Sequence, residues 1–332
     1  MQIEFQVFRQ LPPAPPHMQS FWLEISPSST ILEALTRLKW EQDGSLAFRK
    51  NCRNTICGSC AMRINGRAAL ACQRHISEEQ QGSQPIVIAP LGNLPIMKDL
   101  IVDMQNFWQD LERVDPYVST ATRKIPEREF LQSPQERQQI GQAANCILCG
   151  ACYSDCNAKE VNPAFVGPHA LAKVNRLIGD SRDDQTAQRL AQQNSLAGVW
   201  GCTRCLNCDH VCPMGVAPLD QITQIKQTLL AQTPDTPAAS RAIRHRKTLV
   251  TLVQAGGWID ERQFGLTVVG NRGRDPLGLL SLAPLGLRML RKGKFPLHFK
   301  ASLGSATVKK LIQRIRAQTP SDPKNLLGRV DL

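Results

Sequence analysis

The amino-acid sequence predicts an α+β protein, with a small mixed sheet first, an all-α domain second and a basic extension last. Period-two alternation of apolar residues is confined to about the first 105 of the 332 residues, and helical periodicity dominates the residues that follow. The twelve cysteines fall into three short runs, one in the first part and two in the second. We therefore expect three domains, at residues 1–105, 106–232 and 233–332.

The N-terminal residues carry the signals of a β-hairpin followed by a helix. IEFQVF and FWLEIS both alternate apolar and polar residues, and the PPAPP stretch at residues 12–16 separates them. Thr30 then begins TILEALTRLKW with Glu33 three residues later, a capping-box signature ahead of leucines at helical spacing. We expect this helix to cross the sheet.

Two further segments complete the predicted sheet. AMRINGRAAL places Asn65 and Gly66 between two short apolar segments, which is the strongest short-range hairpin signal. PIVIAPL at residues 85–91 supplies another strand. The first domain is therefore predicted to be a small mixed sheet crossed by one helix, with a metal-binding loop on its rim.

Helical periodicity replaces the strand patterns in the second domain. LIVDMQNFWQDLERV at residues 100–114 is predicted to be a helix, and helical segments alternate with cysteine loops from there to about Thr233. The clearest segments are AFVGPHALAKVNRLI and PLDQITQIKQTLLAQ, the second with Pro218 at a plausible helix start. TPDTPAAS at residues 233–240 is turn-rich, and we expect it to link the second domain to the extension.

The net charge is concentrated in the last hundred residues. The chain carries +12, yet residues 1–232 hold 22 basic and 22 acidic side chains, whereas residues 233–332 hold 18 and 6. Such a basic surface can bind nucleic acid, an anionic membrane or an acidic protein. The alternative is a solvated surface that binds no partner.

The sequence carries neither of the usual signs of membrane insertion or export. It begins MQIEFQVFRQ without an apolar signal segment, and no apolar run reaches the ~18 to 20 residues that a spanning helix needs. The longest candidate starts at Leu277, is interrupted by Pro284 and ends at Arg288. We expect a reducing, cytoplasmic-side location without a transmembrane helix.

The spacing of the cysteines predicts three iron-sulfur clusters. The first run has Cx4Cx2C spacing with a distant fourth cysteine, which is typical of plant-type [2Fe-2S] sites. CILCGACYSDC and CTRCLNCDHVCP share the spacing CxxCxxCxxxC, in which the first three cysteines bind one cluster and the fourth binds the other. The expected ligand sets are Cys52, Cys57, Cys60 and Cys72 for [2Fe-2S], Cys146, Cys149, Cys152 and Cys212 for a [4Fe-4S] cubane, and Cys156, Cys202, Cys205 and Cys208 for the third cluster.

Zinc sites and disulfides are the alternatives to iron-sulfur clusters. CxxC pairs also bind zinc, but tetrahedral zinc typically takes two pairs of ligands rather than three thiolates from one turn and a remote fourth. Six disulfides at this density are typical of short secreted chains, which this sequence does not resemble.

Four segments together closely resemble the iron-sulfur subunit of succinate:quinone oxidoreductase and fumarate reductase: CRNTICGSCAMRINGRAALAC, CILCGACYSDC, IGDSRDD and CDHVCPMGVAP. The resemblance covers residues 1 to about 230. It implies a β-grasp ferredoxin domain and an α-helical dicluster ferredoxin domain, docked on a flavoprotein whose FAD oxidises succinate to fumarate. The chain has no GxGxxG loop and no evident catalytic acid or base, so we expect it to relay electrons without bond chemistry.

The third cluster departs from the usual family pattern. In most members the position matching Cys205 is an apolar residue, and the cluster is [3Fe-4S]. Here the thiolate is present, so the resemblance implies a second [4Fe-4S] cluster with a lower reduction potential than its [3Fe-4S] counterpart. The alternative is that Cys205 is a free buried cysteine, in which case the cluster remains [3Fe-4S].

The quinone site departs from the family pattern as well. The family lines its quinone pocket with a proline, a tryptophan and a histidine near the third cluster, and this sequence has Asn157, Val161 and Thr203 at those places. Quinone is then reduced in another subunit, or another carrier takes the electrons first. This combination resembles the branch whose partner subunit carries cysteine-rich CCG domains and is related to heterodisulfide reductase.

The extension resembles the tail of heterodisulfide-reductase-like iron-sulfur subunits in the stretch DPLGLLSLAPLGLRMLRKGKFPL. It interleaves leucines with basic residues, a pattern that suits the membrane interface, a partner subunit or ordinary packing. The candidate membrane or partner contacts are Leu287, Arg288, Leu290, Arg291, Lys292 and Lys294.

Taken together, the sequence predicts the electron-transfer subunit of a membrane-peripheral succinate dehydrogenase. Its expected partners are a flavoprotein subunit and either a membrane anchor or a CCG-domain subunit, with quinone reached indirectly and no nucleic acid bound. A fumarate reductase running in reverse, with a thiol donor as one option, is the alternative within the family. A zinc-dependent nucleic-acid-binding module is the competitor from another class, favoured only by the basic extension.

Overall fold

The computed structural model describes residues 1–233, 240–295 and 298–318. Most of the predicted linker at 233–240 lies outside the described residues. The chain divides into two compact units, residues 1–225 and 226–332.

A five-stranded mixed sheet forms the N-terminal part of the first unit. Its spatial order is β2-β1-β5-β3-β4, and only the central β1–β5 pair is parallel. All five strands fall where the sequence predicts them. Their bounds are Gln2–Arg9 (β1), His17–Glu24 (β2), Ala61–Ile64 (β3), Arg67–Leu70 (β4) and Ile86–Ala89 (β5).

One helix packs across this sheet, as predicted. Helix α1 spans Ile31–Glu41, and its capping box is complete: Glu33 N–H donates to the Thr30 hydroxyl at 3.2 Å, and Thr30 N–H donates to the Glu33 carboxylate at 2.8 Å. Alternate residues of β1 point at the helix, and Phe5 and Leu35 are fully buried in one shared core. A mixed sheet crossed by one helix is the expected β-grasp arrangement.

The tight hairpin between β3 and β4 has the predicted Asn-Gly turn. Asn65 and Gly66 have φ values of 48° and 83°, the left-handed pair that this turn requires. The Asn65 side chain also accepts from Val87 N–H and donates to the Glu79 carbonyl, so it ties the turn to neighbouring segments.

The helix predicted at 100–114 begins later than expected. Residues Ile101–Val102 form strand β7, which pairs with β6 at Ile96–Lys98, and helix α3 spans only Gln105–Glu112. The cause is tertiary: Leu100 N–H donates to the Ala47 carbonyl, which holds this backbone extended. The first four residues of the segment AFVGPHALAKVNRLI are likewise not helical, because Val166 N–H donates to the Ala197 carbonyl.

The second part of the first unit is helical, and residues 115–233 contain no strand. The prediction of an all-α domain is therefore confirmed. After the short α2 (Ile76–Glu79) and α3, the helices are α4 (Pro134–Gln139), α5 (Gly141–Ala144), α6 (Ala151–Ser154), α7 (Asn157–Val161), α8 (Pro168–Ile178), α9 (Thr186–Gln193), α10 (Asn207–His210) and α11 (Pro218–Gln232).

A buried arginine fastens the segment between the two domains of this unit. Arg189 of α9 is 3% exposed and donates twice to the Asp183 carboxylate, at 3.1 and 2.8 Å. Its remaining N–H groups donate to the carbonyls of Val114, Asp115 and Tyr117. The guanidinium thus satisfies a buried acid and three backbone carbonyls at once.

The second unit contains further helices around a small core. Gly256 allows α12 to approach Phe299, because a Cβ on Gly256 would lie 2.5 Å from the phenyl ring. Trp258 Nε1–H donates to the Lys300 carbonyl at 2.8 Å, and Leu252 and Val268 are buried. The helices are α12 (Arg241–Gly256), α13 (Glu261–Phe264), α14 (Pro276–Leu280), α15 (Ala283–Arg291) and α16 (Ser305–Gln318), with a π-helical turn at Gly265–Val269.

Within the described ranges, no helix combines the length and the apolar character needed to cross a bilayer.

Replacing Arg189 by Met should destabilise the helical domain by about 3 to 5 kcal/mol, because the substitution leaves the Asp183 charge buried and unpaired. The exposed Arg128 offers a matched control, and Arg128→Met should change stability by less than about 0.5 kcal/mol. Urea unfolding followed by far-ultraviolet circular dichroism measures both variants. Equal midpoints for R189M and R128M would show that the buried pair contributes nothing.

Candidate metal centres

The first cysteine run forms a loop between α1 and β3 in which the backbone turns toward sulfur. Left-handed residues at Arg53, Thr55 and Gly58, with φ of 57°, 57° and 69°, curl the chain around the loop. Asn54 and Cys57 N–H groups donate to Cys52 Sγ at 3.4 and 3.3 Å. Thiolates in iron-sulfur sites accept such bonds, which tune the reduction potential.

The pKa values of Cys57 and Cys60 in this ligand set are shifted in opposite directions. A hydrogen bond from the Ser59 hydroxyl, together with backbone N–H groups, lowers the pKa of Cys57 to about 6. Burial raises the pKa of Cys60 to about 12, and the charges of Cys72 and Cys57 add to the effect. Cys60 therefore keeps its proton at neutral pH unless bound iron displaces it, as metal binding does for cysteine ligands.

The second and third runs repeat one backbone conformation. In each run the middle cysteine, Cys149 or Cys205, lies between two residues with left-handed φ, and a one-turn helix follows. Successive left-handed turns point N–H groups inward and create a concave anion-binding shape. The flanking residues are Leu148 (55°) and Gly150 (85°) in the second run and Arg204 (60°) and Leu206 (68°) in the third.

Leu206 retains this conformation against its intrinsic preference. A left-handed backbone costs a non-glycine residue roughly 1–2 kcal/mol, and such strain persists where surrounding structure imposes it. At the equivalent position the second run has Gly150, where a Cβ would lie 3.2 Å from Met104 and 3.3 Å from Leu91. The third run therefore has the same left-handed backbone as the second run, although a leucine at this position does not favour that conformation.

The structure brings the second ligand set together. All four cysteines line a single apolar pocket, together with Leu148 and Val216. Val216 N–H donates to Cys212 Sγ at 3.4 Å. Burial, reinforced by the charges of Cys146 and Cys212, raises the pKa of Cys149 to about 11. Burial also raises the pKa of Cys152 well above its usual value. Four cysteines held in an apolar pocket fit a metal cluster, because bound iron would neutralise the charges of their thiolates.

The third set is also brought together, and it includes Cys205. Burial raises the pKa of Cys156 to about 11, and the nearby charges of Cys202 and Cys205 act in the same direction. Burial also raises the pKa of Cys208, and the charges of Asp209, Cys202, Cys156 and Cys205 act in the same direction. Cys205 itself is exposed, whereas the alternative of a free cysteine expected a buried side chain.

The first and second metal loops touch at Gly58. A Cβ on Gly58 would lie 2.8 Å from both the Cα and the Cβ of Cys149, closer than real side chains approach. The glycine backbone therefore packs directly on a proposed ligand of the next cluster. Glycine is required here for its left-handed φ and for the absence of a side chain.

Asn93 holds the sheet domain onto the short helix α6, and sequence reasoning missed it. Its side-chain amide donates to the carbonyls of Tyr153, Ser154 and Cys156 at 2.8, 3.1 and 3.1 Å. These carbonyls end the helix between the second and third metal sites. The sequence offered only a Gly-Asn turn signal at this position.

His169 is a second residue that the sequence did not reveal. It lies fully buried beside the pocket of the second ligand set, stacks on Phe107 at 3.9 Å and donates Nε2–H to the Phe107 carbonyl at 3.0 Å. Burial lowers its pKa to about 3, so the ring is neutral. Histidine near an apolar helix start carries no distinctive sequence signal.

The three positions that match the family's quinone contacts do not form an apolar pocket. Val161 is 77% exposed and Thr203 is exposed. Asn157 lines a cavity of about 330 Å³ beside Cys156, but neither of the other two lines it. The cavity is polar: its other lining residues include Arg63, Arg67, Asn207 and His210.

The alternatives of disulfides and single-ion zinc sites find no support. All twelve cysteines are free. Among the described residues no three His, Cys, Asp or Glu side chains converge closely enough to hold a single ion. The four cysteines of the second set, which line one pocket, suit a multi-iron core.

Comparisons with known proteins agree with this geometry. A 2Fe-2S iron-sulfur cluster binding domain matches residues 4–109, and a 4Fe-4S dicluster domain matches residues 142–216. Both matches contain the cysteine runs described above.

Similar proteins share most of their length with this chain. The mitochondrial succinate dehydrogenase [ubiquinone] iron-sulfur subunit 3 of Arabidopsis thaliana is 38% identical over 70% of this chain and 76% of its own length. The fumarate reductase iron-sulfur subunit of Escherichia coli O157:H7 is 36% identical over 64% and 85%. A chain of the apo Sdh1 complex of Mycobacterium smegmatis superimposes with a TM-score of 0.63 over 70% of this chain and 97% of its own, at 23% identity, and so supports the fold.

The grouped cysteines, the two matched domains and the extent of these similarities lead to one conclusion. The chain belongs to the family of electron-transfer iron-sulfur subunits of succinate dehydrogenase and fumarate reductase.

Proposed function

We propose that this chain is the electron-transfer subunit of a succinate dehydrogenase. It takes electrons from the FAD of a flavoprotein partner that oxidises succinate, and delivers them toward quinone on the cytoplasmic face of an energy-transducing membrane. The 38% identity to a subunit named for succinate dehydrogenase supports this direction. The 36% identity to a fumarate reductase subunit keeps the reverse reaction, including a thiol-linked form, as the second candidate.

The twelve cysteines are proposed to hold three clusters, which when bound accept and release single electrons. Each group supplies four thiols, and backbone N–H groups reach Cys52, Cys72 and Cys212 to stabilise the bound thiolates. The proposed ligands are Cys52, Cys57, Cys60 and Cys72 for [2Fe-2S], Cys146, Cys149, Cys152 and Cys212 for [4Fe-4S], and Cys156, Cys202, Cys205 and Cys208 for the third cluster.

The third cluster is proposed to be [4Fe-4S] rather than [3Fe-4S]. The observation that carries this proposal is the equivalence of Cys205 and Cys149, which occupy the same place between two left-handed residues. The Cys205 charge also acts on both Cys156 and Cys208. A fourth thiolate can bind the iron at the cluster corner that has no cysteine ligand when an apolar residue stands at this position.

Electrons are proposed to leave the third cluster by a route other than the usual quinone pocket. The cavity beside Cys156 is lined by polar and charged side chains, whereas quinone rings favour apolar pockets. The partner that receives the electrons is then a membrane anchor or a cysteine-rich CCG-domain subunit. The tail sequence at residues 275–297 motivates the second choice and the assignment to the heterodisulfide-reductase-like branch.

Removing the Cys205 thiolate tests the nature of the third cluster. Cys205→Val should convert the third cluster to a [3Fe-4S] form, so that the oxidised protein gains an electron paramagnetic resonance signal that the parent lacks. The neighbouring substitution Thr203→Val serves as the control and should leave the spectrum unchanged. An oxidised [3Fe-4S] signal already present in the parent protein, handled without oxygen, would contradict the proposal.

A side chain at Gly58 should disturb the junction between the first two metal loops. We expect Gly58→Ala to lower stability by about 2 to 4 kcal/mol, because left-handed strain adds to the clash with Cys149. Gly66 has a similar φ of 83° but no atom within 4 Å of an added Cβ, so Gly66→Ala should cost only about 1 kcal/mol. Urea unfolding monitored by cluster absorbance compares the stabilities of the two variants. Equal losses of stability in G58A and G66A would contradict the packing argument.

Isolation of the chain with its natural partners tests the proposed reaction. A tagged chain purified from its own cells should bring down a flavoprotein, and succinate should then reduce the [2Fe-2S] cluster of the complex, seen by electron paramagnetic resonance. The chain purified alone should not respond to succinate. If succinate does not reduce the clusters and fumarate instead oxidises the reduced clusters, the chain serves a fumarate reductase. Absence of a flavoprotein from the isolated complex would overturn both candidate functions.

A further inference from the structure

The basic extension contains a long stretch without a single acidic residue. From Pro276 to Ser321 the sequence has nine lysines and arginines and no aspartate or glutamate. Helices α14 and α15 open this stretch, and no residue of either helix is buried. A segment of one charge sign favours contact with an anionic partner.

The exposed side of these two helices is rich in leucine. Leu277 and Leu280 of α14 are 76% and 65% exposed, and Leu285, Leu287 and Leu290 of α15 are each more than half exposed. Other leucines in the same segment pack inward: Leu279 lies against Gly270 and Leu282 against Gly265. The outward leucines are therefore additional to those that hold the helices in place.

Basic and apolar side chains alternate around the exposed face of α15. Arg288, Arg291 and Lys292 are three and four residues apart and so share one face of the helix. By helical geometry, Leu287 borders that face on one side and Leu285 borders it on the other, and Leu290 lies farther round the helix on the side of Leu287. Long basic side chains in such a position can reach phosphate headgroups while the leucines enter the acyl boundary.

We propose that α14 and α15 form a docking surface for the anionic headgroup layer of a membrane, with Leu287 and Leu290 inserted and Arg288, Arg291, Lys292 and Lys294 on the lipid phosphates. A lipid surface suits these residues better than an acidic protein does. Protein interfaces are anchored by aromatic side chains, and residues 276–294 contain none. This assignment concerns the second unit and does not depend on which reaction the clusters serve.

Vesicle flotation of the full cluster-containing chain tests the charge requirement. The parent should float with phosphatidylcholine vesicles that contain about one third phosphatidylglycerol, and it should not float with pure phosphatidylcholine. Each basic residue at a membrane surface contributes a factor of about five in affinity, so R288E/R291E should bind at least about 30-fold more weakly. K124E/R128E changes net charge equally at exposed sites outside the extension and should bind like the parent.

A second pair of variants tests the leucines. L287S/L290S should lose flotation, whereas L11S/L131S, which alters leucines that are 61% and 81% exposed elsewhere, should keep it. Cluster absorbance confirms that each variant is folded. High salt should release the parent only partly, because inserted leucines are insensitive to screening.

Two results would overturn the proposal. One is equal loss of vesicle binding in the extension variants and their matched controls, which would indicate a diffuse charge effect. The other is retention of the parent on immobilised polyglutamate without any flotation with anionic vesicles, which would assign the surface to an acidic protein.

Discussion

The direct packing of Gly58 on Cys149 joins the two domains of the first unit at their metal loops. Because a Cβ at this position would overlap the Cys149 backbone, the first loop must be left-handed and bare at the contact. Asn93 and Asp155 then fasten the sheet domain to the end of α6, the helix that contains Cys152. The Asn93 amide donates to the Tyr153 carbonyl, and Ala68 N–H donates to the Asp155 carboxylate. The first and second cysteine loops therefore lie side by side.

Burial within the helical domain accounts for the raised pKa values of several cysteines. Burial raises the pKa of most thiols in the helical domain, so the free chain holds protons where the metal-bound chain would hold thiolates. Cluster binding and folding are therefore coupled through proton release. Cys57, whose pKa is lowered to about 6 by the Ser59 hydroxyl, is the exception and lies in the partly exposed first loop.

Local sequence signals predicted local structure well here. The capping box at Thr30, the Asn65-Gly66 turn and Pro218 at a helix start are all where the structure has them, because each signal depends on neighbouring residues alone. The start of the helix after Leu100 was misplaced, since a distant carbonyl holds that backbone extended. Asn93, His169 and the Gly58 contact could not be predicted, because their partners lie 60 to 91 residues away in sequence, farther than any local motif reaches. The grouping of the cysteines could be predicted from their spacing, because the spacing determines which sulfurs a short loop can point at one cluster.

The proposal for the third metal site depends most on Cys205, because a fourth thiolate there would complete a second cubane in the repeated loops. Mössbauer spectroscopy of the anaerobically purified protein, grown on isotopically enriched iron, tests this most directly. The account predicts only [2Fe-2S] and [4Fe-4S] components, with iron in a ratio of about one to four. A separate ferric [3Fe-4S] component in the untreated protein would contradict it.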